Sequence, residues 1–165
     1  MSVNGAHIDI AVESEGWDEL AGADALVARA AQATLDAGGR PVAPGAEVSV
    51  VLADDKTVRA LNARWRGKDK ATNVLSFPAC PPQQLASAPH IGDVIIAYET
   101  TRREADEEGK TLADHLSHLV VHGMLHLLGY DHETDGEAEE MEGLEIRILA
   151  GLGIADPYAG AALGE

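Results

Sequence analysis

The sequence predicts a small α+β domain in which a mixed β-sheet of about four strands packs against helices. Three observations predict this class. Short segments with strand-like alternation are separated by segments with helical periodicity, the order along the chain is β-α-β-β with helices following, and the pattern is helical from Glu99 onward. The 165 residues suffice for one domain with a buried core, so we expect a single domain over 1–165, with a frayed tail from about residue 151.

The first half of the chain predicts two strands and two helices. His7–Val12 alternates as a strand does, and Ala23–Ala37 has helical periodicity and is closed by Gly38 and Gly39. Glu47–Ala53 is the second predicted strand. Asp55 then begins a helix that continues to about Trp65.

The second half predicts two more strands and then helices. The strands are expected at residues 72–77 and 93–98, and the proline-rich segment 78–91 between them must be a loop. From Glu99 onward the pattern is helical, with a turn near Gly109. Thr134 and Glu137 predict a capping box for a last helix that ends near residue 149.

Charge is distributed unevenly along the chain. The net charge of −16 argues against a general nucleic-acid-binding protein. Six of the twelve Lys and Arg residues nevertheless fall between positions 56 and 70; this basic island consists of Lys56, Arg59, Arg64, Arg66, Lys68 and Lys70. It predicts a localised contact with a polyanion, and a solvated helix end is the alternative.

The cysteine count and the hydropathy together predict in which cellular compartment the protein resides. Cys80 is the only cysteine, so no disulfide can form within the chain, which suits a reducing environment. The N-terminal residues show no signal-peptide pattern, and no run of 18 apolar residues occurs. We therefore expect a cytoplasmic protein that does not span a membrane.

The segment HGMLHLLGYDH, residues 122–132, predicts a metal site. His122 and His126 are separated by one helical turn, and Gly129 can end the helix so that His132 returns to the same ion. Three neutral imidazoles with an open fourth position are typical of catalytic zinc, whereas structural sites usually have four protein ligands. The alternative is that these are ordinary histidines of an amphipathic helix.

The same spacing occurs in the metzincin signature HExxHxxGxxH, which makes the predicted helix zincin-like. Gly123 occupies the position of the glutamate that acts as general base in those proteases. The ligand pattern is therefore retained without the peptidase base. A plain peptidase is disfavoured.

These residues resemble the signature of the YbeY family of bacterial endoribonucleases. Segments 61–78 and 92–97, the acidic segment 137–145 and the DPY near the C-terminus also resemble the family, in matching order over residues 45–158. Two departures are Ala71, where the family usually has proline, and the loop 78–91, which is longer and less acidic than expected.

The resemblance implies a metal-dependent, single-strand-specific endoribonuclease that acts in 16S rRNA 3′-end maturation and ribosome quality control. It implies one zinc ion, a cytoplasmic location, and RNA and the ribosome or small-subunit assembly components as partners; we expect a monomer. Arg66 matches the functionally important arginine of the family's R-G-K-D stretch. The further candidate RNA contacts are Arg64, Trp65, Lys68, Lys70, His115 and His118.

The chemistry of cleavage assigns roles to some of these residues. A zinc-bound water can ionise near neutral pH and attack a phosphodiester, while Arg66 stabilises the charge that develops. Asp131 is a possible base or orienting group, although turn formation would also explain it. Trp65 is more readily explained by core packing than by stacking on a base. His115 and His118 are candidates for contacting phosphate or for donating hydrogen bonds to the metal ligands.

Two other functions remain open. One is a metallohydrolase of another substrate class, a peptidase or amidase that uses Asp131 or a neighbouring acid as base. The other is a non-enzymatic ribosome-assembly factor with a structural zinc. The basic island favours RNA over a peptide substrate.

Overall fold

The computed structural model describes residues 6–158 and contains four strands and five α-helices within that range. The strands are β1 (His7–Val12), β2 (Glu47–Ala53), β3 (Val74–Pro78) and β4 (His90–Ala97). The helices are α1 (Ala23–Ala37), α2 (Asp55–Arg66), α3 (Tyr98–Glu108), α4 (Leu112–Leu127) and α5 (Asp135–Gly151). Short 3-10 turns occur at Glu15–Glu19 and Pro82–Gln84.

The strands form one mixed sheet with the order β1-β2-β4-β3. β1 and β4 both run parallel to β2, whereas β3 pairs antiparallel with β4 and forms an edge of the sheet. Four strands packed against helices are the α+β class that the sequence predicted. The prediction of the fold class is confirmed.

Helices cover both faces of this sheet. The main core lies between one face and helices α1, α4 and α5, and includes Val50, Ile96, Leu116, Leu125 and Leu149. A smaller cluster on the other face contains Val58 of α2 with Leu75 and Ile95. β4 ends in the apolar run Val94–Ala97, which is buried on both faces of the sheet, whereas β2 alternates buried with partly exposed residues over most of its length.

Most element boundaries agree with the sequence patterns. β1, α1 and β2 have the predicted limits, and the Thr134–Glu137 capping box before α5 is present. β4 begins at His90, earlier than expected, because residues preceding the alternating segment pair with β2 from Glu47 onward. That pairing is a tertiary contact, so local alternation did not reveal it.

The loop 78–91 is anchored to the core. Leu85 is buried within the main hydrophobic cluster, and its carbonyl accepts a hydrogen bond from the Ala43 amide. The predicted tail also makes contacts as far as the structure describes it: the Lys110 ammonium donates to the Pro157 carbonyl at 3.1 Å, and the Tyr158 hydroxyl donates to Glu145. The rest of that tail, residues 159–165, lies outside the described residues.

Over residues 6–158, the structure contains no helix that combines the length and the apolar character needed to cross a membrane.

Candidate metal centre

Helix α4 positions four histidines along one side of the domain. Its first turn is capped by Thr111, whose hydroxyl accepts a hydrogen bond from the Asp114 amide. The apolar face, which includes Val120 and Leu125, is buried in the core. These histidines lie within an arc of roughly 80° about the helix axis, because residues three and four apart share a face of a helix. They are His115, His118, His122 and His126.

The three predicted ligands lie together. The Nε2 atoms of His122 and His126 are 3.2 Å apart. Two nitrogens bound to one tetrahedral zinc ion at the usual bond length would be separated by about 3.3 Å. The ring centroid of His132 is 6.0 Å from that of His122 and 5.2 Å from that of His126. Ligand atoms of all three lie within 4.8 Å of one another, so this donor set fits a divalent metal.

Gly129 allows the chain to turn after α4. Its φ is 95°, in the region that favours glycine, and a Cβ there would lie 2.6 Å from Arg40 Nη1. Arg40 Nη1 donates to the Leu128 carbonyl at 2.7 Å, and its guanidinium carbon lies 4.0 Å from the centroid of the Tyr130 ring. The Tyr130 hydroxyl donates to the Gly38 carbonyl at 2.6 Å. The loop after α1 therefore fixes the turn that leads to His132.

Glu145 of α5 belongs to the candidate site by its contacts, although the sequence patterns did not single it out. This fully buried carboxylate accepts hydrogen bonds from His118 Nε2 at 2.6 Å, His122 Nδ1 at 3.0 Å and the Tyr158 hydroxyl at 2.6 Å. Burial alone would raise the pKa of Glu145, but the hydrogen bonds from His118 and His122 outweigh it and lower the pKa to about 2. The group is therefore an anion that only accepts hydrogen bonds.

The charge on Glu145 determines the tautomer of His122. Because the carboxylate cannot donate, Nδ1 of His122 carries the proton, and Nε2 has its lone pair free toward His126. The sequence contained a sign of this role. Glu145 lies on the apolar face of α5 in helical spacing with Met141, Leu144 and Ile148, where a charged residue needs a buried partner.

His126 is suited to bind a metal as a neutral ring. Burial, together with the neighbouring His122 and His132, lowers the pKa of His126 to about 4. At neutral pH the ring is therefore uncharged, which is the form that coordinates metal ions.

His115 and His118 line a second cavity, of about 580 Å³, beside the metal centre. His115 is buried, and its Nε2 lies 2.9 Å from Glu104 Oε1. The same oxygen accepts a hydrogen bond from the side-chain amide of Asn73. Burial would raise the pKa of Glu104, but the hydrogen bonds from His115 and Asn73 lower it overall. Of the two histidines, His118 is the one linked to a predicted metal ligand, His122, through Glu145.

A cleft of about 920 Å³ opens beside the three-histidine cluster. Arg66, Lys68 and Lys70 of the basic island line it together with His122, His126 and His132. Asn62, a buried residue, donates to the Lys70 carbonyl at 2.9 Å and holds the segment after α2 in a turn. Residues more than fifty positions apart in sequence thus meet in one cavity.

The other members of the basic island have different surroundings. Arg59 forms a hydrogen-bonded ion pair with Asp69 at 2.8 Å on the surface. Arg64 lies over the Trp65 ring, with its guanidinium carbon 5.2 Å from the ring centroid. The expectation that Trp65 packs in the core is wrong. Trp65 is 64% exposed because it projects from the last turn of α2 into the open cleft, which it lines.

Asp131 lines the same cleft, and its Oδ1 accepts a hydrogen bond from the His132 backbone amide at 2.8 Å. This contact stabilises the turn, which is the alternative role that the sequence suggested for Asp131. It also fixes the carboxylate next to the third histidine. Among the described residues, the carboxylates that line the cleft are those of Asp131 and Glu133.

Gly123 has a packing role that its sequence context did not reveal. A Cβ at this position would lie 2.8 Å from Val94 Cγ1 and 3.1 Å from Ser76 Oγ. The Ser76 hydroxyl donates to the Gly123 carbonyl at 3.1 Å. The glycine therefore lets α4 approach the β3–β4 edge of the sheet closely, and a glutamate has no room there.

Comparison with known proteins gives consistent matches over most of the chain. The sequence profile of the family described as "Endoribonuclease YbeY" matches residues 13–153. A relative of that name from Allorhizobium ampelinum is 54% identical over 158 residues, which cover 93% of this chain and 95% of the relative. A second, from Azorhizobium caulinodans, is 56% identical over 153 residues, covering 92% and 96% of the two chains.

One solved structure, that of a structural-genomics target protein from Thermotoga maritima, is similar in fold. The TM-score is 0.58 with 23% sequence identity, and the match covers 96% of this chain and 93% of that one. At this identity the match supports the arrangement of strands and helices alone.

Proposed function

The chain belongs to the YbeY endoribonuclease family, as the resemblance indicated, and from this premise we propose that it is a zinc-dependent endoribonuclease that cleaves single-stranded RNA. One observation carries the proposal: Arg66, Lys68 and Lys70 line the same cleft as His122, His126 and His132. A polyanion bound to the three cations would have a phosphate beside the three-histidine cluster. A peptide substrate does not require these cations.

The proposed metal is one zinc ion held by His122, His126 and His132. When bound, zinc would polarise a phosphoryl oxygen and make a water molecule acidic enough to react at neutral pH. Glu145 holds His122 in the tautomer that such binding needs. Three ligands facing an open cleft suit a catalytic site, since structural zinc sites are usually closed by a fourth protein ligand.

The side chains that line the cleft have separate proposed roles in phosphate binding and proton transfer. Arg66 is proposed to bind the reacting phosphate through its planar guanidinium, which can donate two parallel hydrogen bonds. Lys68 and Lys70 would hold neighbouring phosphates of the strand. Asp131 is the proposed proton acceptor, because it lies in the cleft and its hydrogen bond to the His132 amide fixes its position.

The cellular role follows from the family resemblance. We propose that the protein acts as a monomer in the cytoplasm, on precursor 16S rRNA during 3′-end maturation and in ribosome quality control. Its proposed partners are single-stranded rRNA and the ribosome or its small-subunit assembly components. The basic residues of the cleft are consistent with such a substrate.

Incubation of the purified chain with single-stranded RNA, with and without a chelator, tests the proposal. We expect cleavage that the chelator abolishes and that added zinc restores. Casein and short peptides should remain intact under the same conditions, because Gly123 leaves no room for a catalytic glutamate beside the first histidine. Chelator-sensitive peptide cleavage without RNA cleavage would contradict the proposal and favour a peptidase.

A further inference from the structure

Trp65 is a large apolar side chain left on the surface at the rim of the cleft. Among the described residues, Trp65 and Val12 are the large hydrophobic side chains that are exposed, by 64% and 47%. A single exposed apolar side chain is common on protein surfaces, so the residues around Trp65, and not its exposure alone, identify a site. Val12 lies on the edge strand β1, at the opposite edge of the sheet from β3. The exposed side chains of Val12 and Trp65 therefore do not form one apolar patch.

The helix places Trp65 toward the cleft rather than toward solvent alone. Asn62, Trp65 and Arg66 are spaced i, i+3 and i+4, so they share one face of α2, and all three line the cleft. Trp65 is therefore adjacent to the guanidinium proposed to bind a phosphate. One face of the indole is covered by Arg64 at a distance typical of a cation–π contact.

The chemistry of the surroundings identifies what would cover the exposed indole. Arg64, Arg66, Lys68 and Lys70 place four positive charges around it, in a chain whose net charge is −16. An exposed aromatic ring combined with a positively charged groove is the pattern of single-stranded nucleic-acid binding, in which bases stack on the ring while cations bind the backbone. A duplex cannot use such a ring, because its bases are already stacked and paired.

We propose that Trp65 is a stacking platform for one unpaired nucleobase of the substrate, next to the phosphate bound by Arg66, and that this stacking selects single-stranded RNA. The inference rests on the proposed function. It adds a base-binding subsite to the cleft. Trp65 is a binding residue in this proposal and takes no part in bond cleavage.

Fluorescence separates Trp65 from the other tryptophan. Trp17 is 1% exposed, and its indole N–H donates to the Ala53 carbonyl at 2.9 Å, so soluble quenchers should reach Trp65 alone. The full chain is titrated with an eight-residue 2′-O-methyl oligouridylate and with an abasic oligomer of equal length and charge. We expect the oligouridylate to change the emission of Trp65 and to protect it from acrylamide, whereas the abasic oligomer does neither.

Variants then measure the contribution of the ring. Trp65→Ala should weaken binding of the oligouridylate and raise KM for single-stranded RNA by about 5- to 100-fold, with kcat nearly unchanged, as expected when uniform binding is lost. It should also bring the KM values for single-stranded and duplex RNA closer together. Trp65→Phe should restore most of the binding, because it retains an aromatic face. Val12→Ala, which removes exposed apolar surface elsewhere, should behave as the unaltered protein.

The outcomes distinguish this inference from the proposed function. If RNA is cleaved and Trp65→Ala has normal KM and oligomer affinity, the stacking site is overturned and the endoribonuclease stands. Equal emission changes with the abasic oligomer would also overturn it, since the contact would then involve phosphate. If the protein cleaves no RNA but the oligouridylate alone protects Trp65, the subsite stands and the proposed activity fails.

Discussion

Glu145 Oε2 lies 3.0 Å from Nδ1 of His122, and this contact links the last helix of the domain to the first histidine of the metal centre. The carboxylate also accepts a hydrogen bond from His118, so one buried anion orients two rings of α4. The carboxylate is fully buried, whereas the side chains of His118 and His122 remain partly exposed. Its negative charge increases the electron-donating strength of His122.

We expect Glu145→Gln to weaken zinc binding by about 10- to 100-fold, the range typical when a partner of a metal ligand is removed. The glutamine side chain is uncharged and has one acceptor oxygen. In the unaltered protein, His118, His122 and Tyr158 donate to the two oxygens of the carboxylate. Competition with a chelating dye measures the affinity. Glu142→Gln, an exposed change on the same helix, is the matched control and should bind zinc normally. Equal affinities in the two variants would contradict an orienting role for Glu145.

His126→Ala should lose the bound zinc, because two imidazoles and water bind the ion far less tightly than three imidazoles. Elemental analysis of the purified protein measures the metal content. His7→Ala, which changes an exposed histidine of β1, should keep the content of the unaltered chain. A full equivalent of zinc in His126→Ala would mean that the ligands have been assigned to the wrong residues.

Arg66→Ala should reduce the rate of RNA cleavage by about 10²- to 10³-fold, since it removes a donor to the charge that develops in the transition state. Zinc content and the free energy of unfolding should hardly change, because the side chain is exposed. Arg66→Lys should restore part of the rate, as an ammonium lacks the planar pair of donors. Cleavage is followed with labelled single-stranded RNA at saturating concentration.

Lys56→Ala is the matched control for Arg66→Ala. Lys56 is an exposed cation in the first turn of α2, and Arg66 is the last residue of the same helix. Each substitution removes one positive charge, but Lys56→Ala removes it at the end of α2 opposite to Arg66. A similar loss of rate in both variants would indicate that overall charge is responsible. Normal cleavage by Arg66→Ala would remove the main support for RNA as the substrate.

Gly123→Ala should lower the free energy of unfolding by about 1–3 kcal/mol, because the added methyl group overpacks the contact of α4 with Val94 and Ser76. Urea denaturation measures the effect. Gly143→Ala is the control, since a Cβ there meets nothing within 4 Å and alanine stabilises a helix interior by up to about 1 kcal/mol relative to glycine. Stabilisation by both substitutions would show that Gly123 is not needed for close packing.

The sequence determined by itself the features that depend on neighbouring residues. The limits of β1, α1 and β2 and the capping box before α5 followed from local periodicity and local hydrogen bonding. The grouping of His122, His126 and His132 was also predictable. One helical turn and one glycine turn within eleven residues are enough to bring these rings together.

Tertiary packing alone decided the rest of the site. Glu145 reaches His122 because α5 packs on α4, and Arg66 and Trp65 reach the cleft because α2 ends beside the β3 edge of the sheet. Gly123 serves the contact between α4 and that edge. Periodicity reveals which face of an element is apolar, but it does not specify the element against which that face packs. Contacts between distant segments therefore became visible only once the helices and the sheet were assembled.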